Sequence, residues 1–135
     1  MKLQHLRSYL DGRTEPVCAY LYDLAHLRRR VDTLRRCLPA QCKLFYAIKA
    51  NSDAPILRAL LHRTDGFEVA SLGEIQAVRG VDDAVPIVFG GPGKTDVELE
   101  GALDQGVLLI HVESEHQLRR LDWIARRRNQ RTDIL

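Results

Sequence analysis

Three observations predict an α/β fold, specifically the N-terminal half of a (β/α)8 barrel. Short apolar runs alternate with longer amphipathic stretches, the pattern of βα units around a parallel sheet. Three of those runs lead into a hydroxyl residue with Glu or Gln three positions on, which marks a helix start. Strand-to-strand spacing is about 20 to 25 residues, the period of such a barrel, but a complete barrel takes ~250 residues and this chain has 135. Residues 1–15 are read as an N-terminal extension, and 16–135 as a partial barrel domain that stops inside its fifth strand.

In chain order, Pro16 to Tyr22 is an apolar run that can form a strand feeding the first helix. Leu24, Leu27, Val31, Leu34 and Leu38 then recur at helical spacing. Five strands are expected, at Lys43–Ile48, Gly66–Ala70, Val85–Phe89, Val107–Val112 and Thr132–Leu135. After the first, Asn51 to Pro55 offers a cap residue and a proline in the first helical turn, where its missing amide hydrogen matters little. Ile56, Leu57, Leu60 and Leu61 give that helix its apolar stripe. Capping boxes follow the next three strands: Ser71 with Glu74, Thr95 with Glu98 and Ser114 with Gln117. The last helix carries Leu118, Leu121, Ile124 and Ala125 on one face. An open half-barrel would expose the inner strand faces and an unpaired edge at Ile134 and Leu135, so the isolated chain is expected to be poorly stable.

Composition narrows the function classes. Twenty Lys and Arg face 18 Asp and Glu, a formal charge of +2, and 45% of residues are hydrophobic. This is an ordinary globular mixture, not a polyanion binder or a disordered scaffold. The arginine runs 28–30, 35–36 and 126–128 are balanced by acids and lack interleaved aromatics, so they read as solvated helix faces rather than a nucleic-acid patch. No apolar run approaches the ~20 residues of a membrane span. Three cysteines, Cys18, Cys37 and Cys42, fit no metal or redox spacing, and the N-terminal residues lack a signal-peptide core; a reducing, cytoplasmic protein is expected.

Lys49 draws the most chemical interest. Period-2 alternation puts Phe45, Ala47 and Lys49 on one face of the first strand. Only four of the twenty basic residues are lysine, and a buried ammonium lowers its own pKa and becomes an amine able to attack carbonyls. In barrels the C-terminal strand ends carry the chemistry. A strand-end lysine snorkelling its charge into water fits the same residues.

The string Tyr46-Ala47-Ile48-Lys49-Ala50-Asn51 resembles the Y-A-[VI]-K-A-N signature of the fold-type III pyridoxal phosphate decarboxylases, the diaminopimelate, ornithine and arginine decarboxylase family. The resemblance continues in register through Gly66 to Glu74, Phe89 to Lys94 and Ile110 to Leu118, covering about Glu15 to Leu135. It implies an alanine racemase-like barrel in which Lys49 forms the Schiff base with pyridoxal 5'-phosphate, and in which Lys49, Ala47, Glu68 and Glu74 bind the cofactor. The wording of Gly90-Gly91-Pro92-Gly93-Lys94 and His111-Val112-Glu113-Ser114 is similar to the branch that decarboxylates siderophore precursors.

Under that resemblance the substrate is a small amino acid whose carboxylate leaves as carbon dioxide, and the parent protein is a homodimer with no nucleic-acid or membrane partner. Glu68 matches a family acid beside the cofactor, where many members have Asp; a barrel-interior ion pair is the other reading. Glu74 matches a second family acid, while its box with Ser71 accounts for a Glu there independently. Lys94 follows a glycine-rich turn that reads as structural. Gly93-Lys94-Thr95 ends as a phosphate-binding loop would, but the required first glycine falls at Val88, inside a strand. His111 and His116 diverge between strand and helix, so no metal site is expected, and His5, His26 and His62 read as surface residues. The family's remaining site parts are expected beyond Leu135: a strand-five arginine, a ring-stacking histidine, a glycine-rich phosphate loop, a glutamate for the pyridine nitrogen and a β-domain. Little or no decarboxylase activity is therefore expected of the 135 residues alone. A racemase-like or cofactor-homeostasis barrel and a non-catalytic association module are the alternatives.

Overall fold

The structure is a computed structural model that describes residues 3–11 and 13–135. Helix α1 (Leu3–Leu10) precedes α2 (Leu24–Cys37). Strand β1 (Phe45–Ala47) then passes into a 3-10 turn (Ile48–Ala50) and α3 (Ala54–Leu60). The alternation continues with β2 (Gly66–Val69), α4 (Leu72–Arg79), β3 (Ile87–Phe89), α5 (Asp96–Asp104), β4 (Leu109–Ile110), α6 (Glu115–Arg127) and β5 (Asp133–Ile134). All neighbouring strands are parallel, in the order β1-β2-β3-β4-β5. That is the sequential winding a barrel requires.

Register separates the two faces of the sheet. Phe67, Val69, Ile87, Phe89 and Ile110 face the helices and are at most 1% exposed. They pack with Ile56, Leu57, Leu60, Ile75, Leu99, Leu121 and Ile124 into one core. On the other face, Ala47 pairs with Glu68, Glu68 with Val88, and Val88 with Leu109. Of these four, Ala47, Glu68 and Leu109 are half-buried. Among the described residues no helix covers that face, whereas parallel sheets are ordinarily covered on both sides.

The helix starts follow the capping residues, with one difference from expectation. Thr95 and Glu98 make the reciprocal box: the Glu98 amide donates to Thr95 Oγ1 at 3.3 Å and the Thr95 amide to Glu98 Oε2 at 3.0 Å. At α4 and α6 only the hydroxyl half forms on the cap residue. The Glu74 carboxylate instead accepts from the Ala70 amide at 2.7 Å, and the Gln117 side chain from the Glu113 amide at 2.9 Å. Both side chains therefore secure the residue before the cap, fastening the end of the preceding strand to its helix. Before α3 it is the Asn51 side chain that holds the Asp53 amide, at 2.8 Å; Asp53 makes no side-chain cap bond.

Three expectations are corrected. Pro16 to Tyr22 is not a strand: it has no regular structure, and Tyr20 is 90% exposed because no neighbouring strand pairs with it. Leu34 and Leu118 lie on the predicted stripes yet are 42% and 41% exposed, since each sits at the flank of its helix's packed face. The strands are shorter than the apolar runs. Arginines pair with acids across the helical layer: Arg120 with Asp96 and Arg127 with Glu100 join α6 to α5, Arg128, which caps the end of α6, pairs with Asp104, and Arg35 reaches Asp65. Among the described residues, no helix is long and apolar enough to cross a membrane.

Candidate functional site

The C-terminal ends of β1 to β4 converge on one rim. The strand reading of Lys49 is corrected here: β1 ends at Ala47, and Lys49 sits in the 3-10 turn that follows. Two contacts hold that turn. Ile48 is fully buried, and the Tyr46 hydroxyl donates to the Asn51 carbonyl oxygen at 3.2 Å from the helix side, where its ring packs edge-on against Phe67. Burial of Tyr46 pushes its hydroxyl pKa up, so it stays a donor. With Ile48 directed inward, Lys49 projects outward with its side chain 67% exposed. The buried ammonium suggested by the apolar run is thus not present. The turn nevertheless returns the amine to the uncovered face, where Lys49 Nζ lies 3.9 Å from Glu68 Oε2.

Glu68 reaches that position because Gly90 leaves room for it. A Cβ on Gly90 would stand 2.8 Å from Glu68 Oε1 and 3.7 Å from His111 Nδ1. Gly90 itself is buried, and its amide donates to the Val69 carbonyl oxygen at 2.8 Å. Next to it Gly91 adopts φ +95°, a conformation that favours glycine, and packs on Ala70 at the end of β2. Lys94 closes the loop by donating to the carbonyl oxygens of Gly91 and His111. Burial lowers the Lys94 pKa, an effect opposed by the charges of Glu113 and Glu98.

Of the residues singled out in the sequence, Lys49, Ala47 and Glu68 come together on one face. Glu74 does not join them: its carboxylate is turned onto the Ala70 amide. His111 is half-buried at the rim and His116 is exposed on α6; among the described residues no cluster of His, Cys, Asp and Glu is suited to a metal. His26 and His62 are exposed, and the His5 side chain lies outside the described residues. Sequence reasoning missed the roles of Gly90 and Tyr46, although the glycine run was visible. A separate groove of about 660 Å³ between α6 and β5, lined by Leu118, Leu121, Ala125 and Ile134, shares no residue with the rim.

The arrangement offers an exposed primary amine, a carboxylate able to stabilise positive charge on it, and an open floor formed by Ala47. A primary amine beside a carboxylate suits covalent attachment of a carbonyl compound. Residues 24–133 match the family model for the pyridoxal binding domain of pyridoxal-dependent decarboxylases. A 2-[(L-alanin-3-ylcarbamoyl)methyl]-2-hydroxybutanedioate decarboxylase of Staphylococcus aureus is 43% identical over 133 residues, covering 98% of this chain and 33% of the relative. A diaminopimelate decarboxylase of Campylobacter jejuni is 34% identical over 117 residues, covering 85% of this chain and 29% of the relative. The crystal structure of Helicobacter pylori diaminopimelate decarboxylase complexed with L-lysine superposes with a TM-score of 0.78 at 31% identity, covering 98% of this chain and 33% of that one. The chain thus spans about a third of the length of these relatives.

Proposed function

Because the chain belongs to the pyridoxal-dependent decarboxylases, as their pyridoxal binding domain, we propose that it supplies the cofactor-anchoring rim of an amino-acid decarboxylase, with Lys49 as the anchor. The observation that carries this reading is the Lys49 amine beside Glu68 on the uncovered face of a parallel sheet. When bound, pyridoxal phosphate supplies the electron sink for the pair left behind as a carboxylate departs as carbon dioxide. The chain's own residues have simpler tasks. Lys49 would hold the cofactor covalently through its nitrogen, and its free amine would be placed to carry a proton at the same rim. Glu68 Oε2, 3.9 Å away, is the ion-pair partner of that nitrogen. Ala47 keeps the floor beside Glu68 low, since any longer side chain there would fill the face on which the two groups meet.

The decarboxylation itself, its substrate and its assembly belong to the same proposal. We place the substrate with the S. aureus relative, an α-amino acid whose side chain is amide-linked to a 2-hydroxybutanedioate, as in siderophore precursors. The higher identity to that protein supports this over diaminopimelate, as does the wording of the Gly90–Lys94 and His111–Ser114 loops. Three free, exposed cysteines support a reducing, cytoplasmic setting. The family resemblance supports a homodimer as the assembly of the full-length protein. The test is borohydride reduction in the presence of pyridoxal phosphate, followed by peptide mass spectrometry. A single adduct at Lys49, lost in Lys49→Ala, is the expected result; an adduct on Lys43 or Lys94 instead overturns the assignment.

A further inference from the structure

We propose that Lys94 is a positioning residue for Lys49, acting through the Gly90–Gly93 loop on the Glu68 carboxylate. The inference rests on the reading of Lys49 as the cofactor anchor and deepens it. Lys94 spends its donors on backbone: Nζ bonds the Gly91 carbonyl oxygen and, at 2.8 Å, that of His111. It also lies 5.2 Å from the centroid of the fully buried Phe89 ring. A half-buried ammonium held by two carbonyls on two different strand ends does not serve solubility; it fixes the loop after β3 to the end of β4.

That loop is the surface on which Glu68 rests. Glu68 Oε1 occupies the space a Gly90 Cβ would need, 2.8 Å from that atom's position, while Oε2 faces Lys49 at 3.9 Å. Gly91 continues the contact, its own Cβ position lying 3.6 Å from the Ala70 Cβ. The chain of contacts therefore runs from the Lys94 ammonium to the Gly91 carbonyl, from the loop backbone to Gly90, and from Gly90 to the carboxylate beside Lys49. Releasing the Gly91 carbonyl leaves Gly90 held by its amide bond to the Val69 carbonyl oxygen alone and loosens the loop backbone on which the carboxylate rests. Adding a methyl group at position 90 moves the carboxylate directly.

Two measurements on the purified chain separate this linkage from the cofactor reading. The first uses no cofactor: competitive acetylation with acetic anhydride, in which the rate at Lys49 is read by mass spectrometry. Lys94→Met and Gly90→Ala are each expected to raise the Lys49 rate about threefold, the scale of a partly exposed charge pair. Neither should change it in a Glu68→Gln background. Gly90→Ala should leave the thermal midpoint nearly unchanged, because the displaced group is the mobile end of a side chain. Equal effects with and without Glu68 overturn the proposal, as does an unaltered rate in Gly90→Ala. The second measurement, half-saturation of the borohydride-trapped pyridoxal phosphate adduct, should weaken about threefold in both variants. Loss of trapping at Lys49 in the parent chain, with the acetylation cycle intact, refutes the cofactor reading alone.

Discussion

Arg79, at the end of the barrel opposite Lys49, should decide stability rather than chemistry. It stands in the last turn of α4, and its guanidinium donates to the Val85 carbonyl oxygen at 2.8 Å and to that of Gln105 at 3.0 and 3.2 Å. Those carbonyls lead into β3 and β4, so one planar cation joins the entrances of two strands as Lys94 joins their exits. Hydrogen bonds from a charged donor are worth about 1.5–3 kcal/mol each. With two carbonyls served by one partly exposed group, Arg79→Met should cost roughly 3 kcal/mol, methionine retaining the packing of the stem. For a domain of this size each kcal/mol moves the melting midpoint by about 3–5 °C, giving a drop of roughly 12 °C by calorimetry or far-UV circular dichroism. Arg79→Lys, whose ammonium reaches one entrance but not both, should lose about half as much. A drop below about 3 °C in Arg79→Met, or a lysine variant as stable as the parent, would refute the two-strand clasp.

Acid should act on the Arg35–Asp65 pair. The Asp65 carboxyl is drawn from its ordinary 3.8 down to about 2, first by the hydrogen bond from Arg35 and then by the Leu44 amide. A pKa lowered by folding stabilises the protein at any pH above the ordinary value and loses that contribution as pH falls toward the folded one. Urea midpoints should therefore decline from pH 4 to pH 2, and the decline should be shallower in Asp65→Asn. At α5, where both arms of the box form, Thr95→Ala should cost about 1 kcal/mol, seen as a lower urea midpoint with an unchanged slope.

The fold was legible because each strand–helix junction repeats the same local chemistry. Ser71, Thr95 and Ser114 each cap a helix as their spacing predicts, and those bonds need only neighbouring residues. The apolar runs overstate strand length, because residues such as Val107 are buried by core packing outside the ladder, and periodicity cannot distinguish the two. The same limit misplaced Lys49. Alternation identified the correct face, but the backbone leaves the strand at Ile48, and what directs that turn is a hydroxyl bond from Tyr46 to Asn51 whose partners only the fold brings together. Gly90 was legible as a turn residue and not as the space into which Glu68 fits. That use of glycine is defined by a side chain 22 positions away in sequence, on another strand.

The open face of the sheet connects function to solubility. Phe45, Ala47, Glu68, Val88, Leu109 and Asp133 share it, while Ile134, on the helix-facing side of β5, and Leu135 leave further apolar surface at that edge, 47% and 76% exposed. Glu68 and Asp133 are the two charges among these six face residues, and they leave Phe45, Val88 and Leu109 as apolar surface on the strands beside them. The purified chain should consequently associate in a concentration-dependent way, read as broadening sedimentation velocity distributions. Leu109 lies two strands from Glu68, roughly 10 Å at the ordinary spacing. Leu109→Lys should therefore shift the distribution toward monomer while leaving Lys49 acetylation within twofold of the parent. Association that survives Leu109→Lys undiminished would move its cause from this face to the β5 edge. A changed Lys49 rate would show instead that charge introduced two strands away reaches the rim, and that the site is less self-contained than its contacts imply.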